Sequence, residues 1–248
     1  MNKLIKIEAD LHVHSIFSGH AYSTIDELAE EAKNKGLKLI ALTDHGPALP
    51  GGTHFNYFNN LKVLPDKIKG VKVLKGIEAN ILNDGSLDLE KRYFRHLDFV
   101  ACGIHMNTGY TNTTAKEHTK ATINAIKNPL VEMITHPINL SNMVDINEII
   151  EAAKEYDVIL EINASSHKEN KQGRGDKKLT RKLVKLAVDN GNYLALNSDA
   201  HYRDMVGDLS NLDPIINDGI ITNDDIINSS LDKVIKFLDS KPLTPNQK

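Results

Sequence analysis

The chain has no tryptophan, and phenylalanine and tyrosine together make up only 5% of its 248 residues. Its core must therefore be packed mainly with aliphatic side chains. A single cysteine, Cys102, excludes an internal disulfide and fits a reducing compartment. No apolar stretch approaches the roughly 18 residues of a membrane-spanning helix. The opening MNKLIKIEAD has too short an apolar run for a signal peptide. A cytoplasmic protein with no membrane partner is the expectation. The net charge of −3 with histidines neutral leaves no global basic footprint for nucleic acid. Linkers and low-complexity tracts are also missing. With 40% apolar and 25% charged residues, the composition is that of an ordinary globular protein, and one domain over residues 1–248 is expected.

What the chain does have is a periodic supply of histidine. Seven short apolar segments, IEADLHVH, LIALTDH, VKVLKGIEAN, FVACGIH, VEMITHP, VILEINAS and YLALNSDAH, each run into a polar landmark. The landmarks are His12, His45, Glu78, His105, His136, Asn163 and Asp199, separated by 33, 33, 27, 31, 27 and 36 residues. Each step is about one strand–helix unit. The pattern is an α/β architecture of repeated βα units that presents side chains at the carboxyl ends of its strands, where barrel enzymes carry their active sites.

The intervening stretches read as helices. Ser23 or Thr24 caps a helix that runs through Lys35 and stops at Gly36, with Ile25, Leu28, Ala29 and Ala32 on one face. Others cover Thr114 to Lys127, Asn147 to Tyr156, Thr180 to Asn190 and Ser230 to Ser240. The tail from Lys241 is expected to fray. Two loops stand out. Gly46 to Asn60 is rich in proline, glycine and aromatics, and Ser165 to Lys178 carries Lys168, Lys171, Arg174, Lys177 and Lys178.

Seven of the eleven histidines sit at or just beyond strand ends: His12, His14, His20, His45, His105, His136 and His201. His12 and His14, like Asp199 and His201, are two residues apart, a spacing that puts both on one strand face. Glu78 has two oxygens and can bridge two cations. Each motif alone reads equally well as polar residues at a strand end; jointly they point to a metal site with several ions. His96 and His118 read as structural or solvated. His54 and His167, in the two conspicuous loops, are candidates for touching substrate. Cys102 is turned away from His105 by its odd spacing and reads as a buried small residue.

The order H-x-H, H, H, E, H, H, D-x-H resembles that of the polymerase-and-histidinol-phosphatase (PHP) metallohydrolases. GHAYST, TDHGP, GIEAN, LEIN-S and SDAH look closest to the stand-alone bacterial YcdX-type phosphatases, and the likeness runs from about residue 8 to 240. The resemblance implies a TIM-like, distorted (β/α)7 barrel and three divalent metal ions, zinc first, with manganese or iron as alternatives. It implies that His12, His14, Glu78 and Asp199 hold one ion. Glu78, His105 and His136 would hold a second, and His20, His45 and His201 a third. The implied activity is hydrolysis of small phosphate monoesters by a metal-bridging hydroxide, with no further catalytic side chain. Two departures, the loop MNTGYTNTTAKEH after His105 and Ala200 where serine is commoner, bear on substrate choice. Histidinol-phosphate phosphatase, a metal-dependent phosphodiesterase or nuclease, and a non-catalytic metal-binding module are the alternatives. Asp44 is a candidate acceptor for His45 or a purely structural group. Arg174 is a candidate fork for a phosphate oxygen or part of a solvated basic loop. The oligomeric state is open.

Overall fold

The computed structural model of the protein describes residues 5–168, 173–217 and 219–241. Lys171 and the tail beyond Lys241, both singled out in the sequence, lie outside the described residues. The strands are β1 (Ala9–Val13), β2 (Leu39–Leu42), β3 (Lys67–Ile68), β4 (Val71–Asn80), β5 (Phe99–Gly103), β6 (Met133–Ile134), β7 (Ile159–Asn163) and β8 (Leu194–Asn197). The helices are α1 (Ile25–Asn34), α2 (Phe55–Asn60), α3 (Ala115–Ile126), α4 (Ile146–Glu155), α5 (Lys177–Asn190), α6 (Asp213–Ile216) and α7 (Leu231–Ser240). Seven strands are parallel, in the order β1-β2-β4-β5-β6-β7-β8, and β3 pairs antiparallel with the start of β4. This is the distorted (β/α)7 barrel.

Alternation along the strands splits the apolar residues into two layers. Ala9, Leu11, Leu39, Ala41, Leu74, Phe99, Ala101, Met133, Ile159 and Ala195 fill the lumen, and α7 plugs its amino end with Val234 and Phe237. Their neighbours Ile40, Leu42, Ile77, Val100, Cys102, Leu160 and Leu196 face outward and pack under the helices. Cys102 is buried in that outer layer, as its spacing from His105 requires. The lumen is filled at the amino end, so polar side chains can converge only at the carboxyl end.

Helix starts follow the caps. Thr24 and Thr114 each form a reciprocal capping box, with Glu27 and Glu117 respectively. Asp145 and Asp176 each accept two backbone N–H groups at the starts of α4 and α5. The Asp176 cap starts α5 at Lys177, three residues before the expected Thr180. The loop expected from Gly46 to Asn60 ends in α2, with His54 as its cap.

The two ends of the strand order, β1 and β8, meet along a seam closed largely by side chains. At the carboxyl end His14 N–H donates to Ala200 O (2.8 Å). Below it Leu11 N–H donates to Asn197 Oδ1 (2.9 Å). Asn228, fully buried, donates to Ala9 O (2.8 Å) and Leu196 O (2.7 Å) and accepts Leu196 N–H (3.1 Å). No helix among the described residues is long and apolar enough to cross a membrane.

Candidate metal centre

Simple alternation aims some of the site and backbone irregularities aim the rest. His45, Glu78 and His105 continue the inward parity of Leu39, Leu74 and Phe99. His12 does not share the parity of Leu11. Asp10 pairs with Ile40 and Val13 with Leu42, so three steps on β1 match two on β2. That extra residue is a β-bulge. It lets Leu11 fill the lumen while His12, the next residue, also faces the interior. His136 and Asp199 are re-aimed by left-handed backbone, with φ of 32° and 53°. Gly103 makes room beneath: a Cβ there would stand 2.3 Å from Thr135 Oγ1 and 2.7 Å from His136 Cε1.

The structure brings all nine sequence-predicted residues together. Glu78 is at the centre. Its Oε1 is 2.9 Å from His136 Nε2 and 3.2 Å from His105 Nε2. Its Oε2 is 2.9 Å from His45 Nδ1, 3.3 Å from His12 Nε2 and 3.5 Å from His14 Nε2. Asp199 Oδ1 lies 3.3 Å from His14 Nε2, 3.6 Å from His12 Nε2 and 3.3 Å from His201 Nδ1. Three imidazole pairs face each other through Nε2: His12 and His14 at 3.0 Å, His20 and His201 at 3.0 Å, and His105 and His136 at 3.2 Å.

Partners on the far side of the rings decide what those facing atoms are. His12 Nδ1–H donates to Glu161 Oε1 (2.7 Å), a carboxylate that can only accept. Ser18 Oγ gives its proton to Asp44 Oδ1 (2.6 Å), so it accepts from His14 Nδ1–H (3.0 Å). His20 and His201 donate through Nδ1–H to the carbonyls of Ser18 (3.0 Å) and Asp199 (3.1 Å). In each neutral ring Nε2 is then a bare lone pair. Lone pairs repel when they face each other at 3.0 Å. Paired ligands on a tetrahedral cation, with bonds of about 2.0–2.1 Å, stand about 3.3 Å apart. The residues therefore fit divalent cations. Two further buried atoms, His45 Nδ1 and Glu78 Oε2, form no hydrogen bond although 2.9 Å apart. Among the described residues, three groups offer ligand atoms all within 4.8 Å of one another: His12, His14 and Asp199; His14, His45 and His201; and His45, Glu78 and His105.

Electrostatics keep several of these rings in the ligating form. Burial, then the neighbouring His201 and His45, holds the His14 imidazole well below its usual range. Burial pushes His45 down to about 4. His12 differs: burial acts downward but is outweighed by Glu161, Glu78 and Asp199, which raise it well above the ordinary value, so a bound cation would take the place of a proton on its Nε2.

The centre opens into a cleft of about 290 Å³, whose other wall is formed by Asn139, Ser165, Ser166 and Arg174. The structure brings Arg174 to the cleft; it does not bring the other two loop candidates. The exposed His54 caps α2, its Nδ1 accepting Asn56 N–H (3.3 Å). His167 is buried with Nε2 3.1 Å from Thr180 Oγ1, bracing the base of the loop. His118, buried on α3, is bound to the Tyr110 hydroxyl (2.9 Å). Asp44 does not bind His45. It accepts from Ser15 N–H, Ser15 Oγ, Ser18 Oγ and Tyr57 Oη, and reaches the site through Ser18 to His14. Glu161 was missed by the sequence reading. It lies two residues before the landmark Asn163, on the same strand face, and that parity was the available signal.

The sequence profile described as the PHP domain matches residues 10–199. A protein named probable phosphatase from Caldanaerobacter subterraneus subsp. tengcongensis is 43% identical over 238 residues, covering 96% of this chain and 93% of that one. Another of the same name from Aeromonas hydrophila subsp. hydrophila is 40% identical over 96% of both chains. Among solved structures, histidinol phosphate phosphatase from Lactococcus lactis subsp. lactis, complexed with zinc, L-histidinol and phosphate, superposes with a TM-score of 0.58. Its identity is 18%, over 93% of this chain and 92% of that one. The putative histidinol phosphatase of Listeria monocytogenes gives a TM-score of 0.59 at 14% identity, over 80% and 97%. At those identities the likeness is one of fold.

Proposed function

The chain belongs to the PHP-domain family, and from that premise and the geometry of its centre we propose that it is a metal-dependent phosphatase of small phosphate monoesters. It is a hydrolase acting on phosphate esters, in keeping with relatives named probable phosphatase that match it nearly end to end. On its motifs we read it as a stand-alone YcdX-type member forming one domain. The observation that carries the reading is the convergence of three Nε2-facing imidazole pairs on Glu78 and Asp199, two of which, His12 with His14 and His20 with His201, are turned inward by hydrogen bonds at Nδ1.

The ligand sets are those implied by the resemblance. His12, His14, Glu78 and Asp199 hold one ion, Glu78, His105 and His136 the second, and His20, His45 and His201 the third. The distances show how closely these sets adjoin, since His14 and His45 each fall into two of the compact groups. Imidazole-rich ligation suits zinc, with manganese and iron as the other metals it serves. Bound divalent cations supply charge neutralisation for the phosphate oxygens and lower the pKa of water toward about 7.

The chain's own residues do the rest. Glu78 and Asp199 hold the imidazoles in register. The Arg174 guanidinium, on the wall opposite the ligands, offers a planar fork to a phosphate oxygen. Ser165, Ser166 and Asn139 line the entry where the alcohol portion of the ester would sit.

The experiment is p-nitrophenyl phosphate hydrolysis by protein stripped with chelator and then titrated with zinc or manganese. Activity should return as about three ions bind. Metal uptake with no hydrolysis of this ester or of L-histidinol phosphate would sink the monoesterase reading, and a digest of single-stranded DNA run alongside would detect a diesterase.

A further inference from the structure

We infer that Glu161 is a positioning residue that sets two metal ligands at once, fixing His12 in the tautomer that bares Nε2 and holding the left-handed turn that aims His136. The inference rests on the metal-dependent reading above. Glu161 is 2% exposed on β7. Its Oε1 accepts His12 Nδ1–H (2.7 Å) and Asn197 Nδ2–H (3.0 Å). Its Oε2 accepts the His136 backbone N–H (2.7 Å) and Asn163 Nδ2–H (3.0 Å). The donors come from β1, β8, the loop after β6, and β7 itself.

Four donors occupy the roughly four acceptor sites of a carboxylate. Glu161 thus has no lone pair left for a cation and is not itself a ligand. It acts through others. A carboxylate on the far nitrogen of a ligating imidazole fixes the tautomer and raises the basicity of the near nitrogen. The second oxygen does something different: it secures the amide of His136, whose φ of 32° lies where few non-glycine residues sit. His12 and His136 belong to different ligand sets, so one buried side chain serves both.

Glutamine has nearly the same shape but only one accepting oxygen. With its amide nitrogen toward His12, Nδ1 must accept and the ring proton moves to Nε2, the atom that faces His14. Turned the other way, the amide opposes the His136 N–H with a second donor and the turn loses its anchor. Either orientation disables one ligand.

The test uses full-length protein labelled with 15N-histidine. In chelated wild type, long-range 1H–15N NMR should show a proton on His12 Nδ1; a wild-type His12 whose Nδ1 carries no proton overturns the assignment, whether or not any variant folds. In calorimetric zinc titrations, E161Q should bind about 10–100-fold more weakly than wild type. E132Q, which alters a buried carboxyl outside the centre, should titrate as wild type does. Wild-type protein that takes up no zinc overturns the phosphatase reading and this assignment with it. Wild-type uptake matched by E161Q, with the His12 tautomer unchanged, overturns the assignment alone.

Discussion

Several of the proposed ligands of the centre are aimed by small departures from regular strand geometry, and Gly103 shows how little room those departures leave. The His136 ring packs where a Cβ on residue 103 would lie, at 2.7 Å from Cε1, with Thr135 Oγ1 closer still at 2.3 Å. Gly103→Ala must therefore push His136 off Glu78 or bend β5. The expected outcome is a loss of metal affinity and of phosphatase activity of about 10–100-fold, the size seen when support behind a ligand is removed; an alanine variant with wild-type zinc uptake would refute the packing argument. At this scale the sequence was legible where parity was regular. His45, Glu78 and His105 follow from counting by twos, and Cys102 is excluded by the same count. Asp44 stood open between an acceptor for His45 and a structural group, and its partners Ser15, Ser18 and Tyr57 come from other segments that only the fold brings to it. Glu161 was hidden because a lone glutamate in an apolar strand gives no sign of which four donors will surround it.

Among the elements, β6 is the shortest of the parallel strands, and it is anchored by an acid. Glu132, just before it, is 5% exposed, and its Oε2 accepts Val100 N–H (2.6 Å) from β5. Burial pushes this carboxyl up to about 8 from 4.5. A carboxyl whose folded pKa is raised keeps its proton in the native state after the unfolded chain has lost it. Its contribution to stability is full below about pH 4.5, declines as pH rises toward 8, and is constant above that. The size is about 5 kcal/mol. Glu132→Gln keeps the acceptor and abolishes the titration. In urea unfolding of chelated protein it should match wild type near pH 4.5 and exceed it by a few kcal/mol near pH 8.5; equal stability at both ends would show that Glu132 ionises normally. The loop between β7 and α5 makes a separate prediction. Arg174 lines the cleft while its own carbonyl accepts Leu140 N–H (2.8 Å), a tie between two rim loops that runs through backbone and does not use the guanidinium. Arg174→Ala removes the fork without touching that tie, so kcat/KM should fall about 10–100-fold, the worth of a charged hydrogen bond, with zinc uptake unchanged. Unchanged kinetics would return Arg174 to the solvent. The basic composition of this loop marked it in the sequence, but did not distinguish Arg174, at the cleft, from His167, which braces the loop from beneath.

At the scale of the whole molecule, the barrel and the centre share one weak line, the seam between β1 and β8. Asn228 closes the amino half of it with four buried hydrogen bonds, to Ala9 O, Leu196 O, Leu196 N–H and Asn197 Oδ1. Nothing in the sequence announced this residue, because its value comes from reaching two strands more than 180 positions apart. Asn228→Ala leaves Ala9 O, Leu196 O and Leu196 N–H short of a partner and should cost about 2–4 kcal/mol. The carboxyl half of the same seam carries His12 and His14 on one side and Asp199 and His201 on the other. An ion held by His12, His14 and Asp199 therefore clamps β1 to β8 just above Asn228. Each ion that binds only the folded chain adds about 2.7 kcal/mol at a hundredfold excess over its dissociation constant, or about 5–10 °C in melting temperature for a chain of this length. Two clamps on one seam should not act independently. With the ions in place, the Asn228→Ala seam is forced shut at its upper end and cannot relax around the missing amide, so the loaded variant bears the full cost. With chelator present, the seam can relax and the same substitution should cost about 1–2 kcal/mol less, the difference being the metal-binding free energy that the variant forfeits. Melting of wild type and variant, each loaded and chelated, measures the difference directly. Equal costs with and without metal would mean that the seam is held by the sheet and its helices alone, and that the centre sits on the barrel without helping to close it.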